Sequence, residues 1–218
     1  MNEKFEIFYI RHADTGGASY EDRDTCDVNI TELGEKQAEL LAERMSGYDF
    51  DACFSSPLLR CVRTAAPTLS AMKNKPVLEI IPELLENGST PGYHGAGIEY
   101  LKKFYPNCRM CPDVIVGNEK PDFKCATDEE NDFRAAAIVK YFRERFAYGQ
   151  RILVFSHGSF GNHFIPACVN EDSREFIMSI NHTSVTKIKY TSDGDIRISF
   201  MNDFSHLRPL MKDYEMTV

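Results

Sequence analysis

The sequence has no run of apolar residues that approaches the roughly 20 needed for a membrane-spanning helix. It has no low-complexity tract, and its composition of 43% hydrophobic and 27% charged residues is that of a globular chain. It also lacks an excess of basic residues, because 33 acidic residues against 25 basic ones give a net charge of −8. We therefore expect neither a membrane nor a nucleic acid as partner, and an anionic ligand would have to be captured by a local cluster of arginines.

An export signal is also missing, since the N-terminus MNEKFEIFYIRH contains neither a long apolar segment nor a small-residue cleavage site. We therefore expect a cytoplasmic protein. The seven cysteines are an odd number for such a chain and favour reduced thiols over a disulfide framework. A chain of 218 residues can bury a sizeable core without disulfides or metals.

Strand-like and helix-like patterns alternate along most of the chain. Short apolar runs at 5–10, 51–56, 77–81 and 152–155 predict strands, and amphipathic stretches that begin at Thr31, at Pro57 and near 131 predict helices. The turn SDGD separates two later strands, around 184–190 and 196–201. These patterns predict one α/β domain over 1–218, a three-layer sandwich with a mostly parallel central sheet, and an insertion or lid at about 88–128 with one helix near 98–104.

Basic or titratable residues follow three of the predicted strands. Arg11 and His12 end the first strand, Arg60 lies on the helix after the second, and His157 ends a later one. If these strands are neighbours in one parallel sheet, the side chains converge where α/β sheets bind ligands. Guanidinium groups match the oxygens of a phosphate, so the pattern predicts a phosphoryl-binding pocket.

A histidine beside a bound phosphate indicates a particular chemistry. A neutral imidazole nitrogen can attack phosphorus and divide hydrolysis into two displacements through a phosphohistidine. Nearby positive charge keeps that imidazole unprotonated. A second, protonated histidine would donate to the oxygens where negative charge develops, and a carboxylic acid would protonate the leaving alkoxide.

Four segments in this order resemble a known family. They are Arg11-His12-Ala13, NITELGEKQAELLAERM, FSSPLLRCVRTA and His157-Gly158. Together they resemble the histidine phosphatase superfamily, also called the phosphoglycerate mutase-like family. The resemblance implies a phosphoric monoester hydrolase of the histidine acid phosphatase type that needs no cofactor or metal. It further implies that His12 is the phosphorylated nucleophile, that Arg11 and Arg60 bind phosphate, and that His157 is the second pocket histidine.

The remaining site residues are less firmly indicated. The family's general acid usually comes from a Leu-x-Glu segment, matched here by Leu84-Leu85-Glu86, and Glu83 in the same loop is the alternative. The hydroxyl of Thr15 is a further phosphate ligand or a loop-turning group. Arg63, one turn beyond Arg60, is either a ligand or a structural arginine.

Three functions are consistent with this resemblance. Glu86 is followed by NGSTPGYHG, whereas the glycolytic mutases continue with an Arg and a Tyr-Gly pair, and GGASYEDRD lacks the asparagine frequent in mutase-like members. These two departures weaken the mutase interpretation, and a third, Ala at position 13 in place of the family's more usual Gly, does not exclude activity. We therefore expect a metal-independent phosphomonoesterase acting on a small phosphorylated metabolite. The alternatives are a phosphoglycerate mutase and a catalytically silent phosphate-binding protein.

The segment 88–128 raises two further questions. Cys108-x-x-Cys111 with Cys125, and His94 as a fourth ligand, could hold zinc, although reduced cysteines under a lid explain the same pattern. The lid side chains that either contact substrate or only pack are Tyr93, His94 and Tyr105. Three other histidines are expected to be structural: His163, His182 and His206. The oligomeric state is open, with a homodimer as one alternative.

Overall fold

The sheet is built around β1, in a computed structural model that describes residues 3–16, 28–87, 95–113, 127–171 and 177–211. Its seven strands run in the order β4-β3-β2-β5-β1-β6-β7. Strands β1 to β5 pair in parallel, and β6 and β7 add an antiparallel hairpin at one edge. The strand bounds are β1 Glu3–Arg11, β2 Ala52–Ser55, β3 Leu78–Ile80, β4 Cys108–Met110, β5 Gln150–Ser156, β6 Val185–Thr191 and β7 Ile196–Asp203.

Helices cover both faces of the sheet and complete the three layers expected from the sequence. Side chains of α1 and α2 pack on one face, and those of α4 and α5 pack on the other. The helix bounds are α1 Glu32–Met45, α2 Leu59–Ala71, α3 Ile98–Leu101, α4 Asp128–Arg145 and α5 Gly158–Val169, with 3₁₀ turns at Pro82–Leu84 and Ser205–Leu210. The α/β fold with a mostly parallel sheet is therefore confirmed.

The composition of β1 follows from its central position. Phe5, Ile7 and Tyr9 point to the layer of α4 and α5, while Phe8 and Ile10 point to the layer of α1 and α2. All five side chains are buried. A strand covered on both faces is apolar on both, which explains the run FEIFYI; its one charged residue, Glu6, is buried in an ion pair with Lys187.

Two helix starts differ from the predictions. Helix α4 begins at Asp128, earlier than the predicted position near 131, because Thr127 and Glu130 form a capping box at its N-terminus. Helix α2 begins at Leu59 with Leu58 as its N-cap, so Pro57 lies before the helix and not in its first turn.

The segment 88–128 is not wholly a lid, and this corrects the prediction. Its residues 108–110 form β4, a parallel edge strand that pairs with β3. Its helix α3 spans only Ile98–Leu101, and Tyr105 is buried with its hydroxyl donating to the carbonyl of Pro76 over 2.7 Å. Tyr105 is therefore a packing residue, while Tyr93 and His94 lie outside the described residues.

The pair Cys108 and Cys111 does not form a joint metal site. Cys108 packs in the core on the side of α1 and α2, whereas Cys111 packs against the core on the side of α4 and α5. Two thiols on opposite faces of a sheet cannot bind the same ion. Cys125 lies outside the described residues. Within the described ranges, no helix combines the length and apolarity needed to cross a membrane.

Candidate active site

The three strands that end in candidate site residues are adjacent in the sheet, in the order β2, β5, β1. Their registers bring the carboxyl ends level, with Arg11 opposite Ser156 and Ser55 opposite Phe155. The amide of His12 then donates to the carbonyl of Ser156 over 2.9 Å. The convergence expected from the sequence is therefore present.

The imidazole of His12 is held in one orientation as a neutral ring, so one of its two nitrogens keeps a lone pair. Its side chain is almost fully buried, and Nδ1 lies 2.8 Å from the carbonyl oxygen of Ala13. Since a carbonyl only accepts, Nδ1 carries the proton and Nε2 keeps its lone pair. Burial, followed by the positive charges of Arg60 and Arg11, holds the pKa of His12 well below its usual 6.5.

Arg11 presents an unsatisfied donor at the same edge. Its NH1 group donates to the carbonyl of Ile180, whereas its Nε is buried and has no hydrogen-bond partner among the described residues. The guanidinium lies against Gly158, where a Cβ would stand 3.1 Å from Nε. A buried N–H without a partner is costly, and an anionic oxygen would satisfy it.

The two arginines of α2 have different surroundings. The charge of Arg60 lowers the pKa of both His12 and His157, which places its guanidinium close enough to act on the imidazoles. Arg63 instead forms an ion pair with Glu35 and lies over the ring of Phe104 at 5.2 Å from its centroid. Of the two interpretations of Arg63, the structural one is therefore supported.

His157 stands beside His12 as the resemblance implies, with ring centroids 5.3 Å apart. It is fully buried, and its Nε2 lies 2.8 Å from the hydroxyl of Ser56. Burial, then the charges of Arg60 and His12, hold the pKa of His157 well below its usual 6.5, which favours a neutral ring before substrate binds. A neutral imidazole still carries one N–H donor.

Glu86 is the acid that reaches the two histidines. Its Oε1 accepts from the amides of Asn87 over 3.0 Å and Phe160 over 2.8 Å, and its Oε2 lies 4.0 Å from Nδ1 of His157. Glu83 is buried in the 3₁₀ turn Pro82–Leu84, which precedes Glu86 in the chain. Glu86 also lines a cavity that opens beside Arg11. The geometry therefore favours Glu86 over Glu83 as the acid.

The loop that carries Glu86 is held by Arg134, a residue that sequence reasoning missed. Its guanidinium is buried and donates to the carbonyls of Glu83 over 3.1 Å and Leu85 over 2.8 Å. It stacks over the ring of Phe160 at 4.2 Å. In the sequence, Arg134 is one of several charged residues of the helix α4. An arginine on an amphipathic helix is ordinarily exposed to solvent, so nothing in the sequence marked it as a site residue.

His182 was expected to be structural, yet the structure places it at the site. Its ring centroid lies 5.5 Å from that of His12, and its Nδ1 lies 3.8 Å from Asp14. Burial, then the charge of Arg11, lowers the pKa of His182 to about 4. Its position in NHTSVTKI, a segment that resembles the family's end, was the available signal. Thr15 lies half-buried in the loop after β1, and its hydroxyl makes no hydrogen bond within the described ranges.

A metal could in principle use the same side chains, because ligand atoms of His12, Glu86 and His157 all lie within 4.8 Å of one another. These are the groups to which the phosphoryl chemistry is assigned. Arg11 and Arg60 act on both imidazoles as positive charges and oppose a cation. The charge distribution therefore fits an anion better than a metal ion.

Two buried imidazoles, the Arg11 guanidinium and the carboxyl group of Glu86 thus lie together at the carboxyl edge of a parallel sheet, an arrangement that fits an anion. The sequence matches the model of the histidine phosphatase superfamily (branch 1) over residues 7–203. The chain therefore belongs to this superfamily, as the resemblance of its motifs indicated.

Similar proteins agree with this assignment. A probable phosphatase of Schizosaccharomyces pombe is 25% identical over 214 residues, which cover 93% of this chain and 95% of the relative. The structure of a phosphoserine phosphatase from Entamoeba histolytica is similar with a TM-score of 0.62 at 19% identity, covering 93% of this chain and 99% of that one. A phosphoglycerate mutase from Bacillus anthracis is similar with a TM-score of 0.64 at 21% identity, covering 94% and 96%. At these identities the two structures establish the fold alone.

Proposed function

We propose that this protein is a metal-independent phosphomonoesterase of the histidine acid phosphatase type that hydrolyses a small phosphorylated metabolite. One observation carries the proposal: Nδ1 of His12 donates to the carbonyl of Ala13 and leaves Nε2 as an unprotonated nucleophile at an arginine-lined edge. The name of the S. pombe relative supports a phosphatase.

In the first displacement, Nε2 of His12 attacks phosphorus and the bond from phosphorus to the ester oxygen breaks. Arg11 and Arg60 bind the phosphoryl oxygens, and the ring N–H of His157 donates to the charge that develops on them. Glu86, in its acid form, gives its proton to the departing oxygen. The products are the free alcohol, a phosphohistidine and the Glu86 carboxylate.

In the second displacement, water attacks phosphorus and the P–N bond breaks. The Glu86 carboxylate takes a proton from this water, and Nε2 of His12 regains its lone pair. Inorganic phosphate leaves, and both side chains return to their starting states. In this scheme the two arginines supply the positive charge that a metal ion would supply in other phosphatases. The hydroxyl of Thr15 is a further ligand for the phosphate.

The test is hydrolysis of para-nitrophenyl phosphate in EDTA by the wild type, by His12→Ala and by His163→Ala. His163 is a matched control, since it is also buried but pairs with Asp132 over 2.7 Å at the contact between α4 and α5. We expect EDTA-resistant turnover that falls by roughly 10³-fold or more in His12→Ala and is retained in His163→Ala. Full activity in His12→Ala would refute the nucleophile.

Two further assays on the same purified protein distinguish the two alternative functions. Interconversion of 2-phosphoglycerate and 3-phosphoglycerate without net phosphate release would identify a mutase. Phosphate binding without turnover of any ester would identify a silent member of the family. The cytoplasmic compartment and a homodimer stay predictions.

A further inference from the structure

A small cavity opens beside the proposed phosphate site, and the proposed acid Glu86 lies in its wall. Its volume is about 220 Å³, and it is lined by Arg11, by Glu86, by the first turn of α5 and by residues 178–181. Cavities that hold drug-sized ligands are usually larger, about 300–1,000 Å³. This one fits a small alcohol attached to the phosphoryl group, with the carboxyl group of Glu86 beside the ester oxygen.

The wall formed by 178–181 is held in place through its backbone. Asn162 accepts from the amide of Met178 over 2.6 Å and donates to its carbonyl over 3.2 Å. Asn202 donates to the carbonyl of Ser179 and accepts from the amide of Asn181, each over 2.7 Å. Arg11 donates to the carbonyl of Ile180. These bonds preorganise the wall and leave the side chains of Ser179 and Asn181 available.

Asn181 is the informative residue of this wall. It lines the cavity, the residue as a whole is only 8% exposed, and its side-chain amide stays accessible while making no hydrogen bond to another described residue. An amide that is accessible at the wall of a cavity has its donors and its acceptor available to a ligand. An amide beside a substrate cavity acquires its partner when the substrate binds.

The chemistry of the lining indicates the kind of substrate. Among the described lining residues, Arg11 and Glu86 carry the charges, and the proposed mechanism uses both. The amide of Asn181 and the hydroxyls of Ser159 and Ser179 each offer a donor and an acceptor, which is the pattern that alcohol hydroxyls satisfy. A carboxylate in this cavity would find only Arg11 as a counter-charge among the described lining residues, and the proposed mechanism already uses Arg11 to bind the phosphoryl oxygens.

We infer that this cavity is a leaving-group subsite for a neutral, hydroxyl-bearing alcohol, and that Asn181 is the residue that selects for it. The substrate class is then a phosphate ester of a polyol or a sugar, in preference to phosphoglycerate or phosphoserine. This inference rests on the proposed phosphatase function and adds the identity of the leaving group to it.

The experiment measures kcat/KM for four esters: glycerol 1-phosphate, a hexitol phosphate, phosphoserine and para-nitrophenyl phosphate. It compares the wild type with Asn181→Leu, which keeps the side chain's size but removes its donors and acceptor, and with Asn181→Ser, which keeps a hydroxyl. Asn107→Leu is the control, because Asn107 is exposed and bonds to Lys75 on the far side of the fold. Thermal unfolding of each variant shows that it is folded.

We expect the wild type to prefer the polyol esters over phosphoserine. The ratio of kcat/KM for the preferred polyol ester to that for para-nitrophenyl phosphate should fall roughly tenfold in Asn181→Leu and be partly restored in Asn181→Ser. A wild type that prefers phosphoserine, or a ratio that is the same in Asn181→Leu, would overturn this inference while leaving the phosphatase in place. Absence of turnover with all four esters would overturn the proposed function, and the inference with it.

Discussion

The substitution Gly158→Ala is expected to lower kcat/KM without lowering the free energy of unfolding. Gly158 is the first residue of α5, and an added methyl carbon would stand 3.1 Å from Nε and 3.3 Å from Cζ of Arg11. The backbone at this glycine lies outside the left-handed region, so alanine itself is accommodated. The substitution therefore acts on the side chain of Arg11 and not on the helix.

The size of the effect follows from these distances. Non-bonded carbon atoms are best separated by about 3.5–4.0 Å, so the guanidinium must retreat by a few tenths of an ångström. A misplacement of about 1 Å can cost about 10²-fold in rate. We therefore expect kcat/KM to fall roughly tenfold, because the Nε donor of Arg11 no longer meets its phosphoryl oxygen. Alanine is favoured over glycine within helices by up to about 1 kcal/mol, so the free energy of unfolding should stay the same or rise slightly.

The assay pairs para-nitrophenyl phosphate kinetics with urea unfolding and with inhibition by inorganic phosphate. Gly47→Ala is the matched control, since a methyl added there meets no atom within 4 Å. An unchanged kcat/KM and unchanged phosphate inhibition in Gly158→Ala would refute the assignment of Arg11 as a phosphate ligand. A parallel loss of stability would show instead that the methyl disturbs the fold.

Three further predictions concern the remaining charged groups. Arg60→Ala should raise KM for phosphate esters roughly 10²-fold, whereas Arg63→Ala, which loses only the pair with Glu35 and the contact with Phe104, should stay within about threefold of the wild type in steady-state kinetics. Glu86→Gln should lower kcat more for an alkyl phosphate than for para-nitrophenyl phosphate, because nitrophenolate leaves without a proton; equal losses in the two assays would contradict its role as the acid. The pKa values of His182 and His206 are about 4 in the folded protein against 6.5 for an unperturbed histidine, so the unfolded chain binds more protons and stability should fall as the pH drops from 6.5 towards 4, by up to about 1.4 kcal/mol per pH unit for each. Urea unfolding between pH 7 and pH 4.5 measures this slope, and His206→Gln should make it shallower; a slope identical to that of the wild type would contradict the shift.

The sequence by itself determined the alternation of strands and helices and the place of His12, the proposed nucleophile, at the end of β1. These features depend on local periodicity, since a short apolar run followed by Arg11-His12 indicates a strand end without any knowledge of its neighbours. The same local pattern placed His157 at the end of β5. Strand β4 escaped prediction because its three residues, Cys108–Met110, have no pattern of their own and become a strand only by pairing with β3.

The tertiary structure alone decided which groups surround these residues and in which protonation state. His182 reaches His12 across a long separation in sequence, and the neighbouring Asn181 lines the cavity beside Arg11. The pKa of His157 is lowered because burial and the charge of Arg60 act on it together. Burial and electrostatic potential are sums over atoms brought together by folding, so no local stretch of sequence contains them.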